Sequence, residues 1–435
     1  MSAVDPHDVA TFGGAAPLRG RVRVPGDKGI AHRALVFASI ADGVSTIIGL
    51  PDGADVASTR KVLAALGVPV EARTDDAVVV HGVGVDGLRE PADVVDCGNS
   101  GTTMRLMSGL LAGRPFLSVL SGDASLRTRP MARVVEPLRA MGAAIDGREE
   151  GALAPLVIRG GSLRGRAHSL RVASAQVKTA VVLAGLQADG VTAVTEPSAS
   201  RDHTERMLAV VGVPIEVDGT TVRVRAGAPD PFTISVPGDA SSAAFWCVAA
   251  SITPDSEIVI EGVSLNPTRI AFVDVLRRMG ATIEIVPKRD ELGEPVGDLH
   301  VVAAALHGTT IGGDEIPLVQ DEIPVLAVAA AFADGSTRVS EAGELRVKES
   351  DRLATVAAVL GELGVGVETS PDGFAIQGGR PRAGSFASHG DHRIAMAAAV
   401  AAHAIDGTSR VSGWQASAVS YPSFRDDLAR LTEAS

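Results

Sequence analysis

The chain has 435 residues and a net charge of −12, with 52 acidic and 40 basic side chains, one Tyr and two Trp. That balance, with no Lys/Arg run and few aromatic rings, excludes a nucleic-acid surface built on basic patches and stacking platforms. Cys97 and Cys247 each stand far from any second cysteine, which excludes a disulfide framework or a Cys-based zinc site. No charge-free apolar run of about 18 residues marks a membrane span, and the opening MSAVDPHDVATFGG lacks the basic and apolar regions of a signal peptide. A cytoplasmic, soluble enzyme is expected.

Six Ala-rich segments follow one another along the chain, each opened by a short polar signature at Lys28, Ser100, Ser174, Ser241, Asp321 and His392. They recur about every 70 residues, and repetition at a fixed period means one supersecondary unit copied. Within a unit, the apolar run (ALVFASIADG, MRLMSGLLAG, TAVVLAGLQADG, AAFWCVAASI, VLAVAAAFADG, AMAAAVAAHAIDG) reads as a buried helix started by Ser, Asp or Gly and stopped by Gly. A β-branched strand comes next (STIIG, TAVTE, EIVIEG, STRVS). Then comes a more polar helix (DVASTRKVLAALG, PMARVVEPLRAMG, RDHTERMLAVVG, TRIAFVDVLRRMG, ESDRLATVAAVLGELG), apolar on one face and charged on the other. The expected fold is α/β with six such units. At this length two cores of three units each are expected, with domains at residues 22–236 and at 1–21 plus 237–435. The Gly-, Pro- and Thr-rich stretch from Asp218 to Asp239 is read as a crossover or hinge.

Basic residues gather where an acidic protein would least be expected to keep them. Lys28, Arg33, Arg105, Arg129, Arg201, Lys348, Arg352 and Arg393 lie in or beside the signatures, at helix starts. Free N–H groups and the positive end of the helix dipole, reinforced by Lys and Arg, suit phosphates and carboxylates. Two other motifs read blandly. Gly82-Val83-Gly84-Val85-Asp86-Gly87 fits a dinucleotide fingerprint but is followed by Leu88-Arg89-Glu90-Pro91 rather than a helix, so it reads as a turn. His389, Asp391 and His392 are spaced like metal ligands but precede an Ala-rich helix, and are read as caps and hydrogen-bonding groups.

The segments VPGDKGIAHRALVFASIADG, DCGNSGTTMRLM, GDASLRTRPMARV, ASAQVKTAVVLAGL, SRDHTERML, VPGDASSAAF, LRVKESDRL and HGDHRIAMA, in this order and across all six repeats, resemble the motifs of the 5-enolpyruvylshikimate-3-phosphate synthase family of enolpyruvyl transferases. The resemblance implies a two-domain inverse α/β barrel-like fold of six βαβαββ repeats, three per domain, joined by two chain crossings. The fold closes on two anions, phosphoenolpyruvate and shikimate 3-phosphate. It implies no metal or organic cofactor, and a monomer is expected. The acceptor hydroxyl adds to C2 of phosphoenolpyruvate while C3 is protonated, and phosphate then leaves.

Carried over by position, Lys28 bridges both substrates. Asn99, Gly101, Arg129, Gln176, Arg352 and Arg393 line the phosphoenolpyruvate site. Gly29, Arg33, Ser174, Ala175, Gln176, Arg201, Asp321 and Lys348 address the acceptor together with Lys28, Arg33 meeting its carboxylate. Asp321 is the base at the acceptor hydroxyl, and Lys348 and Glu349 manage the proton at C3. Lys348 and Arg352 are expected to share a helical face at i, i+4.

Three positions depart from the family pattern. Gly29 and Ala31 replace two hydroxyl residues of a Lys-Ser-Ile-Ser motif, and Val419 stands where many members carry Lys. The first two leave room for a diverged transferase with another phosphorylated acceptor such as a nucleotide, or for a pseudoenzyme that binds phosphoenolpyruvate without turnover. The loop Gly122-Asp123-Ala124 lacks the cysteine of the related UDP-N-acetylglucosamine enolpyruvyl transferase, which argues against cell-wall chemistry.

Overall fold

The computed structural model describes residues 8–73 and 76–433; residues 1–7, part of the segment read above for a leader, lie outside the described residues. The chain forms two compact units. Unit one is Met1–Pro25, Gly238–Arg289 and Pro295–Ser435, and unit two is Gly26–Pro237 with Asp290–Glu294.

In unit two the second repeat shows the copied element plainly. Strand Val95–Asp96 leads through helix Gly101–Ala112 to the parallel strand Leu117–Ser121, then through helix Ala132–Ala140 to the hairpin Ala144–Gly147 and Leu153–Arg159. This is a βαβαββ unit whose last strand inserts beside the second. The third repeat does the same with Ala167–Ser169, Thr192–Thr195, Ile215–Asp218 and Thr221–Val224. In unit one the fifth repeat matches, with Thr310–Ile311, Ser336–Val339, Gly366–Ser370 and Gly373–Gln377.

The first and fourth repeats exchange their opening strands. Arg19–Arg23 precedes the first repeat but pairs in parallel with Glu257–Ser264 of the fourth. Thr233–Ser235 precedes the fourth but pairs with Asp42–Ile48 of the first. Both exchanges end in the same four letters, Val24-Pro25-Gly26-Asp27 and Val236-Pro237-Gly238-Asp239. Pro fixes an extended approach, and Gly admits a close one: a Cβ on Gly26 would stand 2.5 Å from the Gly49 carbonyl oxygen. The sixth repeat differs from the other five. Its sheet has three strands, and Val9–Gly13 from the start of the chain pairs antiparallel with Thr408–Ser412 where a closing hairpin would lie.

Each signature helix is buried almost all round, which is why it is built from Ala, Val and Leu. Every residue of His392–His403 is buried. Small side chains let such helices approach closely, and a Cβ on Gly109 would lie 2.0 Å from the Ala180 carbonyl oxygen of the neighbouring helix. The second helices bury one face only, as Ala271–Arg278 does through Phe272, Val273, Val275 and Leu276. Most end on a left-handed glycine, among them Gly67, Gly142, Gly212, Gly280 and Gly364, where an L side chain would be strained. The segment Gly84–Gly87 is a turn after the strand Ala77–Val83, with no helix following. No described helix is long and apolar enough to cross a membrane.

Candidate active site

Five of the six polar signatures are first of all helix caps, the exception being the one at Asp321. Asp27 accepts from the Ile30 amide at 3.0 Å, Ser100 from Thr103 at 3.1 Å and Ser174 from Val177 at 3.4 Å. In unit one Asp239 accepts from Ser241 at 2.8 Å and Asp391 from Arg393 at 2.9 Å. Each cap satisfies one of the amides that the first helical turn leaves open. The residues just inside the cap, Lys28, Gly101 and Ala175, are thereby held at positive helix ends.

Unit two carries one group of the sequence-predicted residues. Lys28 Nζ lies 2.9 Å from Asp55 Oδ2, both side chains remaining partly exposed. Asn99 is fixed at both ends of its amide. Its Nδ2 donates to Asp123 Oδ2 at 2.7 Å, and its Oδ1 accepts from Arg129 Nη2 at 2.7 Å, so Asn99 aims the Arg129 guanidinium. Gln176 accepts from Arg105 Nη1 through Oε1 and donates from Nε2 to Thr102 Oγ1 at 2.8 Å. Gly101 lies beneath both arginines: a Cβ there would stand 3.1 Å from Arg105 Nη1 and 3.5 Å from Arg129 Nη1. Asn99, Gly101, Arg105, Arg129 and Gln176 therefore make one cluster rich in guanidinium groups.

Arg33 is buried yet faces only neutral partners in its hydrogen bonds: Thr204 Oγ1 at 2.7 Å, Thr179 Oγ1 at 2.9 Å and the Gly29 carbonyl at 2.8 Å. Burial pushes its pKa down to about 10; Glu205 and Asp27 oppose that fall and Arg201 adds to it. A guanidinium stripped of water and bonded to neutral oxygens gains from an arriving anion. Arg201 is half-buried in the loop before helix His203–Val210. Ser174 is held by its backbone N–H, which donates to Glu196 Oε1 at 2.7 Å.

Unit one carries the other group. Asp321 is ringed by cations: Arg352 Nη1 at 3.1 Å and Lys348 Nζ at 4.0 Å from its Oδ1, and Arg393 Nη2 at 3.5 Å from its Oδ2. Arg393 Nη1 also donates to the Asp321 carbonyl at 3.1 Å. Arg352 is 1 % exposed and touches Asp391 at 2.9 Å and Glu349 at 2.6 Å as well. Burial works against its charge, but Asp391, Glu349 and Asp321 outweigh it and hold Arg352 above arginine's ordinary value.

One expectation is corrected here. Lys348 and Arg352 do not share a helical face. The helix starts at Arg352 because Asp351 caps it, accepting from the Ala354 amide at 3.2 Å, and an N-cap residue is extended rather than helical. Lys348 closes a 3-10 turn on the other side of that break. The two cations meet through the Asp321 carboxylate instead.

Ala31 is fully buried in the apolar core of unit two, so its missing hydroxyl is a packing matter. Gly29 is different. A Cβ there would lie 3.0 Å from Asp27 Oδ1, 3.4 Å from Arg33 Nη1 and 3.5 Å from the His203 ring. His389, Asp391 and His392 gather no metal-binding group among the described residues; Asp391 caps a helix and holds Arg352. Arg105, read from the sequence only as a basic residue beside a signature, also supports the site, as do Asp55, Asp123 and Glu196, to which the sequence reading gave no role there. Arg105 had a signal, lying four residues after Gly101 on one helix face. The carboxylates had none, since they act by facing residues distant in sequence.

The fold is that of an enolpyruvyl transferase: the solved transferase NikO from Streptomyces tendae aligns with a TM-score of 0.78 over 98% of both chains, at 18% identity. A family model described as EPSP synthase (3-phosphoshikimate 1-carboxyvinyltransferase) matches residues 13–428, and the chain belongs to that family. A 3-phosphoshikimate 1-carboxyvinyltransferase of Chloroflexus aurantiacus is 53% identical over 423 residues, covering 96% of this chain and 97% of its own. The solved EPSP synthase of Acinetobacter baumannii has a TM-score of 0.88 and 40% identity, covering 98% of each chain.

Proposed function

We propose that the chain carries the enolpyruvyl group of phosphoenolpyruvate to the 5-hydroxyl of shikimate 3-phosphate and releases phosphate, the carboxyvinyl transfer that leads toward chorismate and the aromatic amino acids. The observation that carries this reading is the 53% identity to a 3-phosphoshikimate 1-carboxyvinyltransferase along 96% of the chain.

The residue roles are those that the family resemblance implies, and the charge and hydrogen-bonding capacity of each side chain support them. Arg129, aimed by Asn99, takes phosphoenolpyruvate oxygens with Gln176 beside it, and the planar fork of each guanidinium suits both its carboxylate and its phosphate. The resemblance assigns Arg352, Arg393 and Lys28 to phosphoenolpyruvate as well, each offering a positive charge suited to it. Arg33 takes the acceptor carboxylate, since its hydrogen bonds go only to neutral oxygens; Ser174, Ala175, Gln176 and Arg201 take the acceptor ring and phosphate. In the addition step the acceptor oxygen bonds to C2, its proton passes to the Asp321 carboxylate, and C3 gains a proton from the Lys348 and Glu349 pair. In the elimination step C3 returns a proton to that pair while the C2–O bond to phosphate breaks. Cations around Asp321 stabilise the charge that builds on the phosphate as it leaves.

Both cysteines are free and buried, which suits a reducing compartment, and the reading places the protein in the cytoplasm as a monomer. The direct test is phosphate release. Incubation with phosphoenolpyruvate and shikimate 3-phosphate is expected to release phosphate at an enzymatic rate. Release with nucleotides and none with shikimate 3-phosphate would overturn the assignment of the acceptor, and no release with either would leave a binding protein.

A further inference from the structure

We infer that Glu196, which lies outside every substrate contact named above, is a positioning residue that sets acceptor affinity by tying two acceptor-binding segments to one buried carboxylate. This rests on the reading of Ser174 and Arg201 as acceptor contacts. Glu196 follows the strand Thr192–Thr195 and is 3 % exposed. Its Oε1 accepts from the Ser174 backbone N–H at 2.7 Å, at the start of helix Ala175–Gly185. Its Oε2 accepts from the Ser200 hydroxyl at 2.8 Å, next to Arg201, and lies 2.8 Å from Lys178 Nζ. One carboxylate thus fixes the helix end that presents Ser174, Ala175 and Gln176 and the loop that presents Arg201.

A carboxylate is needed because all three partners are donors. An amide in its place keeps a single acceptor oxygen and turns N–H groups toward a second donor. Lys178 has a second partner, Glu205 Oε1 at 2.6 Å, and this supplies an internal control. Glu205 pairs with the same buried ammonium but, among the described residues, bonds neither Ser174 nor the loop at Ser200, and its Oε2 has no hydrogen-bond partner. Removing either carboxylate deletes one negative charge beside the same lysine, the loss of Glu205 also freeing the charge of Arg33 for an anion, and only Glu196 holds the tethers.

The two effects differ in sign. Losing a negative charge behind an anion site favours an anionic acceptor, whereas loosening its contacts weakens it. Glu196→Gln is therefore expected to raise the KM for shikimate 3-phosphate at least tenfold, with the KM for phosphoenolpyruvate and kcat within about threefold of wild type. Glu205→Gln is expected to leave the acceptor KM unchanged or lower. Ser200→Ala, which cuts one tether without touching a buried charge, should raise the acceptor KM severalfold and serves if Glu196→Gln does not fold. Equal acceptor KM in Glu196→Gln and Glu205→Gln, or a wild-type acceptor KM in Ser200→Ala, would overturn the inference. A wild-type protein that does not use shikimate 3-phosphate would overturn the functional reading instead, so the two failures are distinguishable.

Discussion

Arg352 Nη1 and Asp321 Oδ1 stand 3.1 Å apart, and the same guanidinium is held from behind by Asp391 at 2.9 Å. The buried arginine thus joins a helix cap to the carboxylate proposed as the base. Arg352 has a fixed planar fork and is immobilised on three carboxylates, so the orientation of Asp321 is set before any substrate arrives.

If Asp321 takes the acceptor proton, Asp321→Asn removes the base and keeps the shape. Turnover is expected to fall by about 10²–10⁴, with acceptor affinity within about tenfold of wild type. Steady-state kinetics and equilibrium binding of shikimate 3-phosphate check this together; near-wild-type kcat would take Asp321 out of the proton transfer.

Asp391 separates capping from ion pairing. Asn caps a helix as well as Asp does, so Asp391→Asn keeps the cap and breaks the pair with Arg352. Breaking a buried pair on one side costs about 3–5 kcal/mol, expected as a loss in denaturant unfolding at pH 7. The pH dependence follows from the pKa. Burial pushes the Asp391 carboxyl up, but Arg352 and His392 outweigh this and hold it below the ordinary 3.8. A group with a depressed folded pKa contributes fully above its unfolded value and loses that contribution as pH falls through the folded one. The gap between wild type and Asp391→Asn should be constant above about pH 5 and narrow below 3.8. A gap independent of pH would contradict the pairing.

His32 gives a second pH effect with a different window. It is buried against Thr59, whose Oγ1 lies 2.7 Å from its Nδ1, and burial pushes its pKa from 6.5 down to about 4, partly opposed by Asp55. Between those values the unfolded chain binds a proton that the folded one does not, so stability is full above 6.5 and declines as pH falls to about 4. The shift corresponds to about 3 kcal/mol over that range. His32→Gln should flatten this part of the stability curve; the unchanged wild-type slope in the variant would remove His32 as its source.

The repeats were legible because most of them obey the same local physics: a cap, an Ala-rich helix, a β-branched strand, and a helix stopped by a left-handed glycine. The strand exchange was harder to read, although it is written twice as Val-Pro-Gly-Asp at Val24 and Val236. Strand partners depend on pairing across more than 200 residues, as between Arg19 and Glu257, and no local pattern encodes that. In the site, the cations could be named from their motifs. Their orienting carboxylates Asp55, Asp123 and Glu196 could not, since an isolated acidic residue in a sequence looks like solvated surface. Gly29 read as a lost hydroxyl, and in three dimensions it is also the place where Asp27, Arg33 and His203 crowd one backbone position. The helical spacing of Lys348 and Arg352 misled because the cap at Asp351 interrupts the helix between them.

Gly101 offers the sharpest test of the phosphoenolpyruvate cluster. It stands where herbicide-tolerant members of the family carry Ala, and glyphosate is slightly longer than phosphoenolpyruvate. With Gly101 the wild type is expected to be inhibited by glyphosate in competition with phosphoenolpyruvate. In Gly101→Ala the methyl would meet Arg105 Nη1 at 3.1 Å and Arg129 Nη1 at 3.5 Å. These are ends of flexible side chains, so the fold should tolerate it; the Arg129 distance is ordinary contact, but the Arg105 guanidinium must give by a few tenths of an ångström. Because Arg129 is pinned by Asn99 and Arg105 bonds Gln176 and the Pro130 carbonyl, that movement shrinks and distorts the pocket. The longer ligand loses more. Glyphosate inhibition should weaken by at least about tenfold, or 1.4 kcal/mol, while the KM for phosphoenolpyruvate rises by less and thermal stability stays within a few degrees of wild type. Inhibition constants with phosphoenolpyruvate varied at fixed acceptor decide the matter. A wild type indifferent to glyphosate, or equal losses for both ligands in Gly101→Ala, would mean that phosphoenolpyruvate does not bind beneath Arg105 and Arg129.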